Sequence, residues 1–305
     1  MKSFILRRLL QSVLVLGLVY TATFWLLMAT PGDPFIGQKQ PPPAILRALR
    51  QRYGLNDPGR AYFAYAWRLV RYGDFGPTIS YENFSVGDVI RQTLPVSMAL
   101  GALALLLALW LGVAAGTVGA LLKGRWPDVA LTVATQFGIS MPNFVIGSAL
   151  LLLFAVDLTV LPPGGWGTFQ QLILPALTLA LPYLAYIARL SRAGVRDVMT
   201  ADFVRTARAK GLPPWRVVSR HILPNASLSI LAFLGPAAAS ILTGSFVVEK
   251  VFAIPGLGEV FVNACLDKDI PLVLGIVLVY TLGLVLLNLL ADLACAWADP
   301  RIRLA

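Results

Sequence analysis

The stretch "QTLPVSMALGALALLLALWLGVAAGTVGALL", residues 92–122, runs for 31 residues without a single Asp, Glu, Lys, Arg or His. A helix needs roughly 20 apolar residues to cross a hydrocarbon core of about 30 Å, so this run is long enough to span a bilayer. A membrane barrel strand would alternate apolar and polar residues over about ten positions, which this Leu- and Ala-dense run does not do. Outward from it lie five further runs free of ionisable side chains: Leu9–Gly32, Val129–Val156, Leu158–Ala188, Ile222–Val248 and Ile270–Ala291, of 24, 28, 31, 27 and 22 residues. The expectation is an all-α membrane protein with six transmembrane helices. Composition agrees, because 57% hydrophobic and 13% charged residues lie far from the balance of a soluble domain.

The first run follows Arg7-Arg8 and exceeds an ordinary signal-peptide core in length, with no small-x-small cleavage site, so it reads as an uncleaved span. Lys and Arg are preferentially retained on the cytoplasmic side. With the N-terminus inside, segments 1–8, 122–128, 189–221 and 298–305 carry 3, 2, 8 and 2 basic residues, whereas the short outer loops 157–173 and 249–270 carry none and two. Both termini are expected in the cytoplasm. The net charge of +10 is thereby explained by topology, and a nucleic-acid partner is not expected. Cys265 and Cys295 fall on opposite sides of the membrane, which excludes a disulfide framework and a cysteine metal site.

The chain divides into residues 1–29 (N-terminus and first span), 30–94 (an extracytoplasmic helical segment), 95–298 (the core with spans two to six) and a 299–305 tail. The segment 30–94 opens with "TPGDP", Thr30 to Pro34, whose prolines stop the first helix. "PPPAILRALRQRYGL" supplies a helix start with Ile45, Leu46, Leu49 and Tyr53 at helical spacing. "RAYFAYAWRLVRYGDFG" supplies a second helix, with Tyr and Trp suited to a membrane interface. Pro142, Pro175, Pro182 and Pro236 punctuate the later spans as kinks or as ordinary membrane-helix composition. Gly112, Gly116 and Gly119 permit close helix approach.

Several chemistries are missing. No run holds an acidic residue near its middle, Glu249 and Asp292 sitting at span ends, so ion-driven transport lacks its usual site. His221 has no ligand partners at metal-binding spacing, and no metal site is expected. No G-x-x-x-x-G-K-[ST] occurs, so work with ATP falls to a partner.

The basic segment 189–224 reads as two short helices joined by a turn. In the first, Met199, Phe203 and Ala207 recur at i, i+4 and i+8. Gly211 fits a helix C-terminus needing positive φ, beside Lys210. Pro213-Pro214 can open the next helix, with Trp215, Val218 and Ile222 on one face, and Pro224 brings it to the membrane boundary. The hairpin either marks the cytoplasmic side or is a surface on which something docks.

The spacing here resembles the EAA loop of permease subunits in binding-protein-dependent ABC importers: a triplet, three residues, a glycine, nine residues, then I-x-L-P. The triplet is Arg205-Thr206-Ala207, the glycine Gly211 and the final group His221-Ile222-Leu223-Pro224. Arg205 stands where the general pattern has glutamate and His221 where it has isoleucine; "RTARAKGL" is similar to the peptide/nickel branch. "RRLLQSV", "PGDP", "EKVFAIPGLGEVFVNA" at 249–264 and "ADPRIR" are similar to the B-type permease of dipeptide and oligopeptide importers. The resemblance implies the six-helix type I importer fold in a bacterial inner membrane, with no catalytic residue and no cofactor bound by this chain, ATP and Mg acting in partner subunits. It implies as partners a C-type permease, two ABC ATPases and an extracytoplasmic solute-binding protein, beside membrane lipid. The implied ATPase-coupling loop comprises Asp202, Arg205, Thr206, Ala207, Arg208, Ala209, Lys210, Gly211, Leu212, His221, Leu223 and Pro224. Pro255, Gly256 and Gly258 are either a turn between spans or an outer gate or receptor contact. Peptide is the substrate implied by the branch; nickel, glutathione and oligosaccharide are alternatives, and a non-transporting scaffold is a more remote one.

Overall fold

The computed structural model describes residues 2–32, 35, 42–53, 56–81, 83–242 and 246–298. Asp33 and Pro34 of the first turn, and the 299–305 tail, lie outside the described residues. Helix α1 covers Lys2–Ala29, α2 Pro43–Arg52 and α3 Pro58–Tyr72. Local chemistry sets these limits. The Asp57 carboxylate accepts the Arg60 N–H at 3.0 Å ahead of α3, and Gly73 closes the helix at φ 63°, a conformation that glycine adopts without a Cβ clash.

Helix α4, Val86–Leu121, begins six residues before the apolar run does. Ser85 and Asp88 form a reciprocal capping box there, which fixes a helix start more firmly than hydropathy can. The third expected span is corrected: it is two helices, α5 (Trp126–Ser140) and α6 (Asn143–Leu151, continued by a wider π turn, Leu152–Asp157), bent by 107°. Met141 is extended at the break, as residues before proline tend to be.

The fourth expected span shifts as well. Residues 158–168 form an irregular loop with Gly165 and Gly167 at positive φ, and α7 runs from Phe169 to Met199 behind a Thr168–Gln171 capping box. Arg189, Arg192 and Arg196 therefore lie on the continuation of α7 and not in a loop. Pro175 and Pro182 sit inside α7 without ending it. Next come α8 (Asp202–Ala209), α9 (Pro214–Val217), a π segment (Val218–Ile222), α10 (Leu223–Ala226), α11 (Leu228–Leu242), α12 (Phe246–Val251), α13 (Leu257–Leu266) and α14 (Ile270–Ala298). Among the described residues five helical stretches, Leu228–Val251 counted as one of them, are long and apolar enough to cross a membrane, and the bent pair makes a sixth crossing if it counts as one span.

Helices α4 and α7 run parallel in close contact. A Cβ at Gly116 would overlap the Ala188 carbonyl, and one at Gly112 would lie 2.9 Å from Ile187, so the small residues are what let the backbones meet. Leu100, Ala104, Ala108, Leu179, Ile187, Ile241 and Phe252 belong to the core around this pair. α11 and α1 each pack on α14. Leu10, Leu14, Leu18 and Leu26 of α1 are exposed, which in a bilayer is a surface for lipid. Arg8 Nη2 meets Asp292 at 2.5 Å, so the start of α1 and the end of α14 lie together. We call that end, which also carries α8, the basic end; α2, α3 and α13 lie at the far end.

Candidate coupling site

Helix α8 has only eight residues, too few to hold itself together in water. Tertiary packing holds it. Val204 and Ala207 are buried with Ala120 of α4, Val195 of α7, and Val217, Ile222 and Ala226 of the following helices. The expected Met199–Phe203–Ala207 stripe is corrected: Met199 ends α7, Ala201 is extended at ψ 148°, and α8 restarts in a new phase, leaving Phe203 exposed. The Trp215–Val218–Ile222 face is corrected likewise. Trp215 is exposed under the Arg216 guanidinium, 5.1 Å from the ring centroid, while Val217 is buried. The π segment adds a residue to the turn, so Val217 and Ile222, five apart, face the same way.

The turn after α8 is complete in its hydrogen bonds. Lys210 N–H donates to Thr206 O at 3.0 Å, Gly211 N–H to Arg208 O at 2.9 Å, and Leu212 N–H to Ala207 O at 3.4 Å. That is a Schellman ending, with its apolar contact made by Leu212 against the Ala207 cluster. Gly211 has φ +77°, and no atom lies within 4 Å of where a Cβ would stand. Glycine is therefore required by backbone conformation and not by space. Pro214 opens the next helix as expected. Pro224 does not end it, because helical turns continue through Ala226; in the π segment just ahead of the proline, Leu223 N–H donates to Val218 O, five residues back.

The predicted residues separate into an inner and an outer set. Ala207, with Leu212 and Leu223, packs inward. Asp202, Arg205, Thr206, Arg208, Ala209, Lys210 and Gly211 are exposed on one outer surface, with Pro224 exposed further along and His221 half-buried. Asp202 Oδ1 lies 3.6 Å from Arg205 Nη1, a loose surface pair worth about 0–1 kcal/mol. Thr206 Oγ1 donates to Asp202 O at 2.9 Å, and Asn225 Nδ2 donates to His221 O at 2.7 Å.

Asp128 is the residue here that the sequence reading passed over. It is buried at the start of α5 and accepts Arg192 Nε at 2.6 Å, Arg196 Nη2 at 2.7 Å and Gly124 N–H at 3.0 Å. A buried carboxylate held by two arginines and a backbone donor is a clamp. It ties the lower end of α7, on which α8 rests, to the α4–α5 turn. The available signal was an acid beside Pro127 at a helix start, with Arg192 and Arg196 one turn apart on a single face.

At the far end, Pro255, Gly256 and Gly258 are brought to Glu249, which the sequence placed merely at a span end. Glu249 is fully buried. Its carboxylate accepts Ser97 Oγ at 2.8 Å, Gly258 N–H at 2.8 Å and Glu259 N–H at 3.2 Å, while Ser97 Oγ accepts Leu257 N–H at 2.8 Å. The carboxylate caps the N-terminus of α13, where the helix dipole favours negative charge. A Cβ on Gly256 would overlap Glu249 Oε2, and one on Gly258 would come within 2.9 Å of it. The two glycines are thus explained by the close approach of an acid; Pro255 is exposed. Asp269 builds a second node, accepting Thr78 Oγ1 at 2.5 Å, Ile79 N–H at 2.7 Å and Ser80 N–H at 2.8 Å through Oδ2, with Leu272 N–H at 3.1 Å on Oδ1.

Among the described residues no cluster of His, Cys, Asp and Glu is disposed to hold a metal ion. Residues 104–304 match the family described as binding-protein-dependent transport system inner membrane component, and residues 1–101 match the N-terminal part of such membrane components. The chain is 41% identical over 307 residues to the oligopeptide transport system permease protein OppB of Salmonella typhimurium, covering 99% of this chain and all of that protein. It is 36% identical over 304 residues to the dipeptide transport system permease protein DppB of Bacillus subtilis, covering 100% of this chain and 99% of that protein. Among solved structures it resembles a chain of the MetNI methionine ABC transporter in an inward-facing conformation, with a TM-score of 0.54 at 16% identity, over 69% of this chain and 96% of that one. That last likeness bears on the fold alone.

Proposed function

This chain belongs to the family of binding-protein-dependent transport system inner membrane components, and from that membership we propose that it is a permease subunit of an ATP-driven importer of di- and oligopeptides. The observation that carries the reading is identity of 36–41% along essentially the whole chain with proteins named as oligopeptide and dipeptide permeases. Its partners are then cytoplasmic ATPases and a solute-binding protein, with a C-type permease as the second half of the pathway. The basic end is the cytoplasmic one, and both termini lie there.

In this reading α8 is the coupling helix. Its exposed side, with Arg205, Arg208 and Lys210, sits in a groove of an ATPase, and its buried side transmits displacement to α4, α7 and the base of α11. A two-state element of this kind needs a contact that differs between nucleotide states and a stiff connection to the pathway. The Schellman turn at Gly211 and the Asp128 clamp supply the stiffness. The Glu249 node gives the loop around Pro255–Gly258 a fixed shape at the outer mouth, where it serves as a gate or receptor contact.

Reconstitution tests the reading directly. The chain, co-expressed with its neighbouring permease and ATPases, is placed in proteoliposomes with the solute-binding protein, and uptake of a labelled peptide is followed with and without ATP. Uptake that requires ATP and loaded binding protein is expected. Uptake that persists without ATP, or an ATPase that never co-purifies, would overturn it.

A further inference from the structure

Helix α3 has three faces, and the fold accounts for only two. Tyr62, Tyr65, Ala66 and Leu69 pack against α1 and α14. Arg60, Ala64 and Arg68 line an open cleft of about 770 Å³ shared with Gln51, Phe75 and Pro77. The third face consists of Phe63, Trp67 and Val70, at i, i+4 and i+7, exposed to 72, 66 and 84%. Three large apolar side chains in one stripe on a helix expected outside the membrane need an explanation that scattered surface hydrophobics do not.

Depth supplies it. Tyr62 O accepts Tyr20 Oη at 2.6 Å, the Tyr62 and Thr21 hydroxyls are 2.8 Å apart, and the Tyr62 ring stacks with Trp25 at 6.2 Å. The apolar span of α1 ends at Ala29. Trp25 and Tyr20 lie four and nine residues before that end, or about 6 and 14 Å along a helix axis. The middle of α3 is therefore fastened to α1 below the outer end of its apolar span, at a level where a crossing helix is surrounded by lipid. Continuity leads the same way. Trp25 and Leu26 of α1 are exposed, and Tyr62 meets both Trp25 and, edge-on at 5.1 Å, Phe63, so the lipid-facing surface of α1 runs on into the Phe63–Trp67–Val70 stripe.

We propose that α3 is an interfacial helix embedded in the lipid leaflet at the far end, with Phe63, Trp67 and Val70 among the upper acyl chains and the Arg60–Arg68 face turned to the water of the cleft. An amphipathic helix of this kind lies about 5–10 Å into the headgroup and acyl boundary, which overlaps the depth fixed by α1. Arg71, exposed beside the stripe, reaches outward to the phosphate layer as long basic side chains do. The helix thereby anchors the walls of the cleft to the membrane.

The test uses the assembled transporter in phosphatidylethanolamine and phosphatidylglycerol bilayers. In a Cys265→Ser, Cys295→Ser background, nitroxide labels are attached through Phe63→Cys, Trp67→Cys, Val70→Cys and, on the cleft face, Ala64→Cys. Collision with oxygen, which enters lipid, is compared with collision by a water-soluble nickel chelate. Oxygen access exceeding nickel access at 63, 67 and 70, with the order reversed at 64, is expected. Nickel access exceeding oxygen access on the stripe, which would place it in water, or protection from both reagents, which would place a protein partner on it, overturns the proposal. Should the cysteines disturb assembly, quenching by lipids brominated on the acyl chain reads Trp67 without them. The protein has seven tryptophans, so the signal is the quenched component lost in Trp67→Phe; no such loss is the overturning result. Neither readout involves transport, so failure here leaves the importer reading untouched.

Discussion

The two ends of the molecule solve opposite problems. At the far end two acids, Glu249 and Asp269, are buried, and their oxygens are taken up by Ser97, Thr78 and backbone N–H groups. On α8 at the basic end the buried groups are small and apolar, and the charged ones, Arg205, Arg208 and Lys210, face outward. A buried acid satisfied by its own chain fixes a shape and has little left for a partner. An exposed cation on a helix held from behind stabilises the fold little and is available to one. Stability and coupling should therefore respond in opposite measure at the two ends.

The largest expected effect is at the far end. Glu249→Ala leaves the Ser97 hydroxyl and the Gly258 and Glu259 amides without their acceptor, and at about 1 kcal/mol or more for each orphaned donor the loss comes to about 3 kcal/mol. Glu249→Gln keeps an acceptor oxygen in place and should lose less. Thermal unfolding in detergent, followed by tryptophan fluorescence, reads both. A midpoint for Glu249→Ala equal to that of the unaltered protein would break the comparison, since the node would then carry no stability.

Gly211 comes next and separates the two measures. Because the space around it is open, Gly211→Ala should cost about 1–2 kcal/mol, the strain of a left-handed residue with a Cβ. Gly211→Pro is more severe locally, since proline cannot reach φ +77° and also loses the N–H that bonds Arg208 O. Expected is near-normal membrane abundance with ATP-dependent peptide uptake reduced by alanine and abolished by proline. Equal uptake in the proline variant at equal abundance removes Gly211 from the coupling path.

Length and hydropathy made the helical, membrane-spanning class legible, because lipid leaves the backbone few alternatives. Chemistry at single residues decided what they could not reach. The Thr168–Gln171 box moved the start of α7, the Ser85–Asp88 box moved that of α4, and Pro142 bent an apolar run into two helices. Gly211 was legible because a left-handed turn leaves a local mark. Phe203 and Trp215 were misplaced because a two-residue break at Thr200-Ala201 and a π segment at Val218–Ile222 each reset the helical phase, and periodicity counted across a break has no meaning. Glu249 was read only as a charge at a span end, and Asp128 was passed over. Their partners Ser97 and Arg192 are 152 and 64 positions away, a separation that only the folded chain closes.

The smallest effect on stability belongs to Arg205, where the expected change is in association with the ATPase. Its side chain is 74% exposed and its ion-pair contact among the described residues is with Asp202 at 3.6 Å, so Arg205→Ala should move the unfolding free energy by no more than about 0.5 kcal/mol. Where the general pattern of the loop has glutamate, this chain presents a cation flanked by Arg208 and Lys210, and such a surface favours an acidic groove on the partner. Arg205→Glu reverses one charge of that set and places it three residues from Asp202, so ATPase co-purification at low salt should fall below that of Arg205→Ala. Attraction between exposed charges is screened over about 10 Å at 0.1 M salt and over about 3 Å at 1 M, so the difference between the two variants should shrink as salt is raised. Tighter association of Arg205→Glu would mean that the ATPase groove is built for the acid, and the outward cations of α8 would then owe their place to the cytoplasmic bias of basic residues and not to docking.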